Sequence, residues 1–174
     1  IGKAHVTREA MRAGFDNVVL DNEMLDILGP AVNSAKSLLL FGDAGNGKTL
    51  IAETIAKLLG GELYLPFAVE LDGEIMVLVD PTYHRSAAGA PAGDDPMEAL
   101  WLDSGSSDRR YARVARPVVL AGGELTLEQL DLQYDSYTKL YQAPFQVKAN
   151  GGVLIIDDFG RQRVPPRDLL NRWI

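Results

Sequence analysis

Cysteine does not occur in the 174 residues. Its absence excludes a disulfide framework, a thiolate zinc site and a thiol nucleophile. It also fits a reducing compartment, so the cytoplasm is the expected location. Long apolar runs are missing too. Leu38–Phe41, Ile75–Val79 and Val153–Ile156 are the longest, far short of the roughly 20 residues that cross a bilayer, so no membrane partner is expected. The first residues do not place an apolar stretch behind a basic one, and no secretory signal is expected. Histidine is scarce: His5 and His84 stand far apart without metal-ligand spacing, and no Ser-His-Asp order or nucleophile elbow is visible. Basic residues are outnumbered, with 17 Lys+Arg against 24 Asp+Glu and a net charge of −7. A surface of that sign repels phosphate backbones on average and argues against nucleic acid as a partner. Arg109, Arg110, Arg113 and Arg116 form a local basic cluster, read here as a solvated face.

What is present is ordinary for a globular chain of one domain: 47% hydrophobic and 24% charged residues, enough to exclude a wholly disordered polymer. Residues 7–13 and 22–29 have the pattern of short helices, with Thr7 and Asp21 as N-caps. Ser37 to Phe41 reads as a buried parallel strand bounded by Gly42. Residues 48–59 follow as a helix with Ile51, Ile55, Leu58 and Leu59 at helical spacing, ended by Gly60 and Gly61. Two β-rich runs, Glu62 to Leu71 and Glu74 to Asp80, flank Asp72-Gly73 and predict a hairpin. Residues 81–108 have the composition of a long surface loop. A small strand near Pro117 to Ala121, a helix after Thr126, a strand at Phe145 to Val147 and a buried strand at Val153 to Asp157 come next. Pro165-Pro166 opens a helix toward the chain end. Tyr134, Tyr137 and Tyr141 are spaced to share one helix face. Strands alternating with helices predict an α/β layer fold with a mostly parallel sheet.

The segment Gly42-Asp43-Ala44-Gly45-Asn46-Gly47-Lys48-Thr49 satisfies G-x-x-x-x-G-K-[ST] at every fixed position. Glycines let the chain wrap with its amides pointing inward, which makes a concave anion site at a helix N-terminus. Lys48 is placed to meet the β- and γ-phosphates of a nucleotide, Thr49 to supply a hydroxyl to Mg²⁺, and Leu50 to continue the loop into the helix. A chance match in a chain of this length is roughly a one-in-a-hundred event. The second signal is Val153-Leu154-Ile155-Ile156-Asp157-Asp158, four apolar residues followed by two carboxylates. Ligands of open α/β sheets sit beyond the carboxyl ends of strands. Asp157 is therefore the candidate Mg²⁺ ligand, through water, and Asp158 the candidate base for an attacking water.

Together the two motifs resemble those of the AAA+ ATPases. Around the second, Ala149-Asn150-Gly151-Gly152-Val153-Leu154-Ile155-Ile156-Asp157-Asp158-Phe159-Gly160, then Pro165-Pro166 and Leu169-Leu170, is similar to the A-x-G-G-x-L-x-x-D-E pattern of bacterial enhancer-binding activators and MoxR-type chaperone ATPases. The resemblance covers about residues 5–60 and 143–174. It implies a three-layer P-loop NTPase fold over residues 1–174, with a hairpin-containing insertion at about 62–145. It also implies ATP or ADP as ligand, Mg²⁺ as cofactor, and hydrolysis by Asp158 and Lys48. The implied partners are a protein client and further copies of the chain in a ring. Val19, with Val18 and Ile27, would border the adenine, unless these are simply core residues.

Three departures stand beside the resemblance. The family usually has Glu where this chain has Asp158, one methylene shorter. The stretch from Lys48 to Asp157 is longer than a minimal core needs. The polar sensor strand, arginine finger and helical lid would lie past Ile174, and nothing in the sequence matches them. Arg161 and Arg163 could face a neighbouring subunit's nucleotide or be surface arginines. Two other readings remain open. One is a nucleic-acid-associated loader or transposition helper, against which the pI of 4.8 counts. The other is a nucleotide-dependent switch with little hydrolysis.

Overall fold

The computed structural model describes residues 5–43, 45–87, 97, 98, 100 and 108–172. The chain divides into two compact units, Ile1–Gly61 and Glu62–Ile174.

The first unit is helical among its described residues. Helix α1 (Arg8–Gly14) begins where the Thr7 hydroxyl accepts the Ala10 amide at 3.1 Å. Helix α2 (Asn22–Asn33) begins where the Asp21 carboxylate accepts from Met24 at 2.7 Å. Each cap satisfies an amide that has no partner inside its helix. Asn33 fastens the chain entry: its side chain accepts the Val6 amide and donates to the Val6 carbonyl, both at 2.9 Å. Helix α3 (Lys48–Leu59) runs over the residues predicted for it and ends at Gly60, whose amide donates to the Lys57 carbonyl. Val6, Met11, Phe15, Leu28, Val32, Ile51 and Ile55 form the core of this unit.

The strand predicted at Ser37–Phe41 is not there. Residues 37–41 adopt no strand, and Leu39 and Phe41 are 71% and 88% exposed. Of this run, Leu40 packs against the helical core. An apolar run becomes a strand only when a neighbour completes its ladder, and no ladder among the described residues includes it.

Among its described residues the second unit holds three small sheets. Strands β1 (Glu62–Pro66) and β4 (Tyr111–Ala115) pair antiparallel, from Glu62 opposite Ala115 to Pro66 opposite Tyr111. Alternation along β4 buries Ala112 and Val114 against Leu65, Val79 and Leu100. The second sheet has the order β2–β3–β7–β6, with β2 (Ala68–Leu71), β3 (Glu74–Val77), β6 (Gln133–Asp135) and β7 (Leu140–Gln142). The third pairs β5 (Val118–Ala121) with β8 (Val153–Ile156) in parallel, Val118 opposite Val153. Ala121, Leu125, Leu130, Val164 and Leu169 form the core beneath it, where helix α5 (Pro166–Asn171) packs. The expected turn at Asp72-Gly73 closes β2 onto β3. Both residues have positive φ, and Gly73 donates to the Glu70 carboxylate at 2.7 Å.

These pairings overturn the predicted three-layer P-loop fold with a mostly parallel sheet. Among the described residues the only other parallel contact is β3 with β7, over two residue pairs. The reason is connection length. A tight turn can join only antiparallel neighbours, whereas a parallel pair needs a crossover of a dozen residues or more. β2–β3 and β6–β7 are joined by tight turns and must run antiparallel, whereas the parallel pairs β3–β7 and β5–β8 are each joined by a long stretch of chain. Three local expectations fail as well. Phe145–Lys148 is a short helix (α4), not a strand, and a single 3-10 turn at Glu128–Leu130 replaces the helix after Thr126. Tyr134 and Tyr141 face each other across β6 and β7 with ring centroids 5.0 Å apart, and Tyr137 sits exposed on the turn between them. Most of the predicted loop 81–108 lies outside the described residues. No helix among the described residues is long and apolar enough to cross a membrane.

The β5–β8 pair depends on one close approach. A Cβ built on Gly152 would overlap the Pro117 carbonyl oxygen, which accepts the Val153 amide at 2.9 Å. Gly152→Ala must push the two strands apart. We expect a loss of about 1–3 kcal/mol, read as a lower melting temperature; an unchanged midpoint would show that this contact does not set the pair.

Candidate functional site

In the loop Gly42–Thr49, Gly45 and Gly47 have φ of +83° and +70°, where a Cβ would strain the backbone. Nothing lies within 4 Å of a Cβ built at either position. The requirement is therefore conformational rather than one of space. Gly47 is the N-cap of α3 and supplies no capping side chain, and no acidic residue occupies the first turn. A helix start of this kind carries partial positive charge and directs amides at any acceptor in front of it. The Lys48 ammonium donates to the Gly42 and Asp43 carbonyls at 3.1 and 2.7 Å, which holds it across the loop. Lys48 and Thr49 are half-buried, and Leu50 and Asn46 are exposed. Ala44 lies outside the described residues. Val18 packs against the helical core, whereas Val19 and Ile27 are exposed on the first unit.

The acidic strand end belongs to the second unit. The Asp157 amide donates to the Ala121 carbonyl at 2.8 Å, extending the β5–β8 ladder by one rung. Asp158 follows with φ +53°, a left-handed conformation that costs a non-glycine residue roughly 1–2 kcal/mol. Its amide donates to the Asp157 carboxylate at 2.9 Å. The chain therefore turns sharply at the strand end, and the two carboxylates leave from consecutive residues. Among the described residues no group of three or more His, Asp or Glu side chains could hold a metal by itself. The two carboxylates of this strand end are oxygen donors of the kind that suits Mg²⁺. That ion takes one or two carboxylates and completes its shell with water and substrate phosphate oxygens.

The other candidates are occupied or exposed. Arg110 pairs with Asp108, and this contact holds the Asp108 carboxyl at a pKa of about 2. Arg113 binds Glu62 at 2.6 Å, and Arg116 donates to the Gly151 carbonyl. Three members of the basic cluster are thus engaged within the second unit. Arg161 and Arg163 are exposed.

A buried polar knot escaped the sequence reading. His84, 2% exposed, donates from Nε2 to the Lys148 carbonyl and accepts at Nδ1 from the Asp80 amide, both at 2.9 Å. Nδ1 also lies 3.1 Å from the Asp80 carbonyl, so backbone groups of Asp80 and Lys148 hold both ring nitrogens. The Asp80 carboxylate binds the Lys148 ammonium at 2.7 Å, and that ammonium lies 5.5 Å from the centre of the Tyr83 ring. Only the i, i+4 spacing of Asp80 and His84 was visible in the sequence; the third partner is 64 residues from His84.

Burial pushes the His84 pKa below its ordinary 6.5, against the raising effect of its hydrogen bonds to backbone carbonyls. Burial also opposes ionisation of Asp80, but bonds from Lys148 and Thr82 outweigh it and lower its pKa below 3.8. In both cases the unfolded chain takes up the proton first. Stability should therefore be complete above about pH 6.5, fall as His84 is titrated, and fall again below about pH 4. Denaturant melts from pH 8 to 3 measure this. His84→Gln should remove the first decline, and an unchanged profile would contradict the assignment.

Comparison with known protein families and with curated proteins finds no match to this chain.

Proposed function

We propose that the chain binds ATP with Mg²⁺ and hydrolyses it, an activity of the kind the AAA+ resemblance implies. The observation that carries the reading is the loop ahead of α3, with open left-handed glycines, a helix start without a side-chain cap, and Lys48 held across it. Backbone amides and one ammonium suit a triphosphate, whose charge is spread over several oxygens. Lys48 neutralises charge on the β- and γ-phosphates. Asp158 accepts the proton of the attacking water as the β–γ bond breaks, giving ADP and phosphate. The Thr49 hydroxyl would supply an oxygen to Mg²⁺, which when bound neutralises phosphate charge; Asp157 is the candidate Mg²⁺ donor of the second unit. Remodelling of a protein client by a ring of copies rests on the resemblance alone.

Mg·ATP at about 100 times its Kd should stabilise the folded chain by roughly 2.7 kcal/mol. Lys48→Ala should weaken binding at least tenfold, about 1.4 kcal/mol, in a calorimetric titration. An unchanged wild-type melting curve at millimolar Mg·ATP would contradict the reading.

Substitutions at the strand end separate binding from chemistry. Asp158→Asn keeps the shape and loses the base, so ATP affinity should persist while phosphate release falls by about 10²-fold or more. Asp157→Asn should instead reduce the dependence of binding on Mg²⁺. Wild-type turnover in Asp158→Asn would remove Asp158 from the mechanism.

A further inference from the structure

Gln162 clasps the acidic turn with both ends of its side-chain amide. Nε2 donates to the Asp157 carbonyl at 2.7 Å, and Oε1 accepts the Gly160 amide at 3.1 Å. The turn is closed once more by the Arg161 amide, which donates to the Asp158 carbonyl at 2.8 Å. Asp157 is thereby gripped on both sides, its N–H by the Ala121 carbonyl and its C=O by Gln162. An amide side chain can donate and accept in one plane in this way, whereas a carboxylate has no donor and an ammonium no acceptor. Fixing both peptide groups of Asp157 fixes the direction of its Cα–Cβ bond. The left-handed backbone of Asp158 persists only because its surroundings hold it there.

We infer that Gln162 is a positioning residue for the Asp157 and Asp158 carboxylates, holding turn 157–160 in the conformation in which they can receive Mg²⁺. The inference rests on the ATP reading above. It also explains a feature that reading leaves open, namely how a residue as short as Asp158 is held still at a strand end. Gln162 is half-buried and touches the acidic turn through backbone atoms. Its loss should therefore loosen the turn rather than unfold the unit.

The test uses Gln162→Met, similar in length but without either hydrogen bond, and Gln162→Asn, too short to span the turn. The first readout needs no nucleotide. Exchange of the Gly160 amide should quicken by about fivefold or more in both variants, with the melting transition retained. The second readout is the ratio of ATP affinities with and without Mg²⁺. Metal-free affinity should stay within about twofold of wild type, while the gain due to Mg²⁺ falls about fivefold. Unchanged Gly160 exchange, or an undiminished Mg²⁺ gain in both variants, overturns the positioning role and leaves the ATP reading standing. Wild-type protein that shows no gain from Mg²⁺ overturns the metal assignment of Asp157, and the positioning role with it.

Discussion

A helix that starts on glycine has no side chain of its own to receive the amides of its first turn. Helix α3 starts in this way, at Gly47, and its other end is not free to adjust, because Ile51, Ile55 and Ala56 are buried in the core. The preceding loop must therefore meet the helix in a left-handed conformation, which is why Gly45 and Gly47 are there. Lys48 then has the loop carbonyls within reach and crosses to them. An uncapped helix start, rigid by packing and bordered by an ammonium, is an anion receptor in chemical terms. The candidate chemistry of the first unit follows from that one constraint.

The second unit reaches its candidate residues differently. Its acidic pair stands where a parallel ladder stops, and the ladder exists because Gly152 lets β8 approach the Pro117 carbonyl. Asp157 continues the ladder by one bond, and Asp158 turns away. The His84–Asp80–Lys148 knot in the same unit is also polar, but its groups satisfy one another almost completely. Such a closed set contributes specificity of packing and a pH dependence.

Much of this was legible in the sequence where the determinants are local. The limits of α3, the caps Thr7 and Asp21 and the Asp72-Gly73 turn each depend on a few adjacent residues, and the strands at 118–121 and 153–156 carry their apolar runs in sequence. The failures share a cause. Ser37–Phe41 has the composition of a buried strand, but strand formation depends on a partner that composition does not name. Tyr134, Tyr137 and Tyr141 fit a helical spacing by number alone. A tight turn at Asp135–Lys139, with Lys139 in a left-handed conformation, places two of them on opposite strands. The candidate site was readable as two motifs because each is contiguous. The clasp by Gln162 was not, since a glutamine six residues past a strand end has no distinctive spacing.

The central claim is that the loop before α3 receives phosphate through its backbone amides. Amide chemical-shift mapping with isotopically labelled chain, titrated with ADP and then Mg·ATP, addresses that claim at the atoms concerned. The expected result is that the Gly45, Gly47, Lys48 and Thr49 amides move most, moving together and saturating with one dissociation constant. Saturating shifts confined to other residues, or no shifts at millimolar nucleotide, would contradict it.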